Sequence, residues 1–117
     1  MEIFKLILIV GNETNFSNFL REILRGEGYT VSLAETGPSA LELLKSFQVD
    51  LILLDIRTSD TDDKTFLEAF WELPLRFPPE VIFFTSSGEN FESRLFIDGL
   101  ANPFEVKVLL SRIKEFI

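Results

Sequence analysis

Residues Lys5 to Val10 read Lys-Leu-Ile-Leu-Ile-Val, with no polar position after the lysine, and Gly11 closes the run. A segment this apolar, rich in β-branched residues and bounded by glycine predicts a strand buried on both faces of a parallel sheet. Phe16, Phe19, Leu20, Ile23 and Leu24 then recur at helical spacing, and Gly26 with Gly28 supply a stop. Tyr29 to Ala34 alternates as a second strand. Thr36 is placed to cap a second helix, with Pro38 in its first turn and Ala40, Leu43, Leu44 and Phe47 as its apolar stripe.

Leu51-Ile-Leu-Leu54 predicts a third buried strand, ending in Asp55. Polar residues from Arg57 to Asp63 separate it from a helix carrying Phe66, Leu67, Phe70 and Trp71. Pro74, Pro78 and Pro79 form a link that cannot stay helical. Val81 to Thr85 reads as a fourth strand, and Val106, Leu109, Leu110, Ile113 and Ile117 line a last amphipathic helix. Between them, Ser86 to Asn102 is short for what it must hold. Glu89 to Phe96 has room for at most two turns of a fourth helix, which leaves a fifth strand only at Ile97 to Ala101.

Strands alternating with helices imply βαβ units and a parallel sheet covered on both sides. Residues 1–117 contain no repeat, low-complexity tract or linker, and their length suits one domain. No apolar run is long enough to span a bilayer, and no signal-peptide pattern precedes the first strand; the expected compartment is the cytoplasm. Nineteen acids against eleven bases leave a net charge of −8, which repels phosphate backbones and disfavours nucleic acid as a partner. Without histidine or cysteine, imidazole acid–base chemistry, thiol chemistry and most zinc sites are excluded. Gly11-Asn-Glu-Thr-Asn15 lacks the second glycine and the lysine of a nucleotide-phosphate loop. Asp60, Asp62 and Asp63 lack the glycine and alternation of a calcium loop, and Asp62 or Asp63 suits a helix cap.

In doubly wound sheets, ligands sit beyond the carboxyl ends of the strands. Those ends are Gly11-Asn12-Glu13, Asp55, Thr85-Ser86-Ser87 and Ala101-Asn102-Pro103. An acid, a hydroxyl and an X-Pro ending three strands is a specific combination, and with it the chain resembles bacterial response-regulator receivers over nearly its whole length. Leu51 to Ile56 is similar to the family's phosphoacceptor strand, Val31 to Leu44 to the stretch before it, and Asn102-Pro103-Phe104 to the family's Lys-Pro-Phe. The resemblance implies a CheY-like, flavodoxin-like α/β fold: a doubly wound five-stranded parallel sheet in the order 2-1-3-4-5, here with a shortened fourth helix. It implies Asp55 as phosphoacceptor and Thr85 as the switch hydroxyl.

Measured against that family, several charges are missing. Gly11 and Asn12 stand where two adjacent acids hold magnesium, with Glu13 one step further on, and Asn102 replaces the lysine that pairs with the phosphoryl group. Arg57 is a candidate replacement cation. Each position also has a purely structural reading: Asp55 as a turn cap, Thr85 as a helix cap, Asn12 and Glu13 as a helix start, Asn102-Pro103 as a turn, often cis in the family. The resemblance therefore implies a signalling module and not an enzyme, beyond at most its own phosphorylation. One reading is a degenerate pseudo-receiver that acts through protein contact, with no cofactor. The other is a working phosphoacceptor in a two-component relay, phosphorylated on Asp55, with magnesium held by Glu13, Asp55 and backbone oxygen. The partner in either case is a signalling protein, a histidine kinase or a downstream target. The fifth-strand switch aromatic has Gly99 near its position, and Phe91, Phe96 and Phe104 are either core or docking residues. A flavin-binding redox protein shares the topology and ranks below both.

Overall fold

A computed structural model describes residues 5–11, 14–55, 63–86, 95–97 and 106–117. Strand β1 (Leu6–Val10) leads to helix α1 (Thr14–Gly26), β2 (Thr30–Ala34), α2 (Gly37–Ser46), β3 (Leu51–Asp55), α3 (Asp63–Glu72) and β4 (Glu80–Ser86). A three-residue strand β5 (Leu95–Ile97) and helix α4 (Val106–Phe116) follow. The sheet order is β2-β1-β3-β4-β5, with β1 and β3 at its centre.

The two continuous apolar runs occupy that centre, where neither face meets water. Strand alternation sends Ile7, Ile9, Leu51 and Leu53 to one face, where they pack with Phe16, Leu20 and Leu24 of α1 and Leu109 and Ile113 of α4. Leu8, Val10, Ile52 and Leu54 face the other way, onto Ala40 and Leu44 of α2 and Phe66 and Phe70 of α3. One sheet thus supports two cores, the doubly wound arrangement expected from the sequence. Among the described residues, no helix is long and apolar enough to cross a membrane.

Local chemistry explains where the elements start and stop. The side chain of Thr36 accepts a hydrogen bond from the Ser39 N–H (3.2 Å), capping α2, and Pro38 lies in the first turn. At the end of α1 the Tyr29 N–H donates to the Leu24 carbonyl (3.1 Å) and the Gly28 N–H to the Arg25 carbonyl (3.0 Å). That pair of bonds needs a left-handed residue between helix and strand, and Gly28 provides it at φ 95°. Before β3, the Leu6 N–H donates to Asp50 Oδ2 (2.8 Å) while the Asp50 N–H donates to the Leu6 carbonyl (2.9 Å). These reciprocal bonds fix the start of the β1–β3 ladder.

Four sequence expectations need correction. The sheet is not parallel throughout: four strands are parallel, but β5 runs antiparallel to β4, with Phe84, Thr85 and Ser86 opposite Ile97, Phe96 and Leu95. It also lies at Leu95–Ile97, not at Ile97–Ala101. A parallel return needs a crossover of roughly a dozen residues or more. Only eight residues separate β4 from β5, so the chain comes back in the opposite direction. The shortened fourth helix was expected over Glu89–Phe96; Leu95 and Phe96 are instead strand, and the remainder lies outside the described residues. Trp71 also departs from the apolar stripe predicted for α3, with 69% of its surface exposed.

Two substitutions test these local devices. A Cβ at either Gly26 or Gly28 would meet nothing within 4 Å, so only backbone conformation separates the two sites. Gly28→Ala should cost about 1 kcal/mol in urea unfolding, whereas Gly26→Ala, in the helix, should be neutral or stabilise by a few tenths of that, roughly. Asp50→Ala should cost about 1–3 kcal/mol by leaving the Leu6 N–H without its acceptor, and Asp50→Asn should recover much of the loss.

Candidate functional site

The parallel strands all deliver their carboxyl ends to one edge of the sheet. Val10 pairs with Leu54, so the residue after β1, Gly11, comes level with Asp55. Gly11 is buried, and its N–H donates to the Ala34 carbonyl (2.9 Å), which ties it to the end of β2. On the opposite side of Asp55, β4 places Phe84 in register, and Thr85 is one step further along. Helix α1 begins at Thr14, a few residues past Gly11, so its N–H-rich end lies toward the same edge and favours negative charge there.

Asp55 is 3% exposed and, with Ser17, makes up the buried polar or charged side chains among the described residues. Removing a carboxylate from water is costly, by several kcal/mol or so unless partners compensate. A carboxylate buried to this degree needs partners that compensate it, whether it serves as a turn cap or as a reactive group. Strand alternation accounts for the direction: Asp55 shares the parity of Leu51 and Leu53, and the C-terminal limit of β3 brings it to the rim.

Of the residues singled out from the sequence, the fold brings Gly11, Asp55 and the backbone of Thr85 together. Asn12, Glu13, Arg57, Gly99, Asn102 and Pro103 lie outside the described residues. One neighbour was missed: β5 pairs Phe96 with Thr85. The number of residues between the two strands was the available signal, because it is too small for a helical crossover.

The site can be tested for magnesium on its donor set. Magnesium prefers carboxylates and water in octahedral geometry. The β1 position level with Asp55 is a glycine, which offers a backbone oxygen and no side chain. Among the described residues, no three acids, histidines or cysteines gather into a cation site. Asp55 with Gly11 is a poor fit to the ion. A carboxylate so placed is a nucleophile in principle.

Comparison with known proteins is consistent over almost the entire chain. Residues 7–112 match the family described as Response regulator receiver domain. The transcriptional regulatory protein CpxR of Klebsiella pneumoniae is 31% identical over 116 residues, covering 95% of this chain and 48% of that protein. Transcriptional regulatory protein DltR of Streptococcus agalactiae is 29% identical over 113 residues, covering 92% of this chain and 50% of its own. A response regulator receiver domain protein (CheY-like) from Methanospirillum hungatei matches in structure with a TM-score of 0.74 at 28% identity, covering 97% of this chain and 93% of that one. The chain spans about half the length of the two curated relatives.

Proposed function

This chain belongs to the response regulator receiver domain family, and from that premise we propose that it is a pseudo-receiver, signalling by protein contact with a phosphorylation pocket that no longer works efficiently. Receiver domains are signalling modules, and the four parallel strands with helices on both faces keep the two-sided sheet of that fold. What has changed is the charge at the strand edge. The observation that carries the reading is the register that sets Gly11 level with the buried Asp55. Glycine has no side chain to offer the site, and the sequence adds neutral residues at Asn12 and Asn102.

Phosphoryl transfer depends almost wholly on positioning and on charges that offset the phosphoryl oxygens. Loss of one preorganised donor at a developing negative charge typically lowers rate by about 10²–10³. The acids that would hold a metal and the ammonium that would pair with the acyl phosphate are absent together. Their joint loss is coherent, since a lysine without its acids would sit as an unpaired charge in a recess. Asp55 and Thr85 then persist as parts of the fold and not as acceptor and switch. The partner on this reading is a signalling protein, a histidine kinase or a downstream target, recognised without phosphorylation.

The position of Asp55 favours a second reading. The acid is retained, buried, at the strand end where a phosphoacceptor belongs, and Glu13 is a further carboxylate in the sequence. On that reading Asp55 is phosphorylated in a two-component relay, with Glu13 helping to hold magnesium and Thr85 bonding the phosphoryl group.

Intact-mass measurement after incubation with magnesium and a small acyl phosphate donor separates the two. The pseudo-receiver should show little or no phosphoryl adduct, with wild type and Asp55→Asn alike. A stoichiometric adduct that disappears in Asp55→Asn would establish the second reading instead. Restoring the acids, with Asn12→Asp alone or together with Gly11→Asp, should raise adduct formation at least tenfold on the first reading, on the order of one lost electrostatic contact.

A further inference from the structure

The exposed large apolar side chains among the described residues are Phe47, Trp71, Phe77 and Phe116. All lie at the end of the molecule opposite Asp55, where helices finish and parallel strands begin. Phe116 belongs to the α1–α4 side, with the Arg112 guanidinium 5.9 Å from its ring centre. The other three belong to the α2–α3 side. Phe47 follows α2 and is 58% exposed, Trp71 ends α3, and Phe77, 64% exposed, lies in the link to β4. The two connecting segments touch: the Gln48 side chain donates to the Phe77 carbonyl (3.1 Å), which brings Phe47 and Phe77 to neighbouring positions.

Single exposed aromatics need no explanation, but three on the same side and at the same end of a small domain do. None is required by the core beneath, which Phe66 and Phe70 already fill with rings stacked 6.2 Å apart. Charge indicates what covers the corner. Residues 42–50 and 68–80, toward this end, carry five acids against two bases. Glu68, Glu72 and Glu80 are exposed and, among the described residues, make no ion pair. The bases nearby are already engaged: Lys45 with Glu42 (3.4 Å), and Arg76 over the Phe77 ring at 5.4 Å.

We propose that this corner, formed by Phe47, Trp71 and Phe77 within an acidic rim, docks a basic amphipathic helix of a partner protein, whose apolar side chains cover the aromatics while its lysines and arginines meet the glutamates. Aromatic anchors inside a charged rim are the usual anatomy of a protein interface. The chain's net charge of −8 attracts such a partner over distance and repels a second copy of itself. The surface lies at the opposite end of the sheet from Asp55, so its occupancy does not depend on that pocket, and the inference goes beyond the pseudo-receiver reading.

The chain's single tryptophan sits in the proposed surface, so its emission reports on it directly. The probe is a synthetic helical peptide with leucines at i, i+3, i+4 and i+7 and lysines elsewhere, compared with a twin carrying glutamates in place of the lysines. The basic peptide should shift Trp71 emission to the blue in a saturable titration that weakens as salt rises, and the acidic twin should not. Binding should fall roughly tenfold in Phe47→Ala/Phe77→Ala and in Glu68→Lys/Glu72→Lys, consistent with loss of anchors or rim, and stay unchanged in Asp55→Asn. Equal binding of the two peptides, no binding of the basic one at low salt, or undiminished binding by both double variants would overturn the proposal. So would a concentration-dependent Trp71 shift without peptide, accompanied by dimers in sedimentation, because a second copy would then be the occupant.

Discussion

Between Ile7 and Val10 and between Leu51 and Leu54, the backbone has helices over both faces and no water to bond with. Every N–H and C=O there must find a partner in the ladder, so the parallel pairing of β1 with β3 admits no slip. The reciprocal bonds between Leu6 and Asp50 fix its first step. From this register follow the two cores, since the same alternation divides the central side chains between α1 with α4 and α2 with α3. It also decides which residues meet at the far rim, where Gly11 comes level with Asp55.

That rim is where the chain departs most from what its fold would support. A buried carboxylate is an expensive thing to keep, and on the pseudo-receiver reading proposed above the charges that would make it reactive have given way to Gly11, Asn12 and Asn102 in the sequence. Fold membership and pocket chemistry are thus separable. The sheet needs apolar residues and a register, whereas phosphoryl transfer needs several charges brought to one point. Losing those charges leaves the packing almost untouched, and so a receiver architecture is compatible with a pocket of altered chemistry.

The β4–β5 connection is a second departure, with a mechanical cause. Eight residues cannot carry a helical crossover, and β5 therefore pairs in the antiparallel sense at the sheet edge. At the other end of the molecule, the α2–α3 corner combines exposed aromatics with acids, while residues 14–28 and 106–117 together carry five bases against three acids. The surface is polarised, although the overall charge conceals it.

The hydrophobic runs alone determined the first four strands, the four described helices and the two-sided burial, because a buried parallel strand admits nothing polar and an amphipathic helix shows its period. Thr36 and Gly28 were readable as a cap and a stop because the interactions involved span only a few residues. Asp55 was legible as a strand-end acid, and the missing charges at Gly11, Asn12 and Asn102 were legible as a resemblance with gaps. Three things depended on contacts distant in sequence. The direction of β5 was set by a competition between strand pairing and loop length, which a local pattern does not register. The exposure of Trp71 follows from which side of α3 faces α2 and the sheet, and apolar spacing on a short helix leaves that choice open. The level of Gly11 beside Asp55 is a matter of register between strands more than forty residues apart, and register is settled by packing on both faces at once.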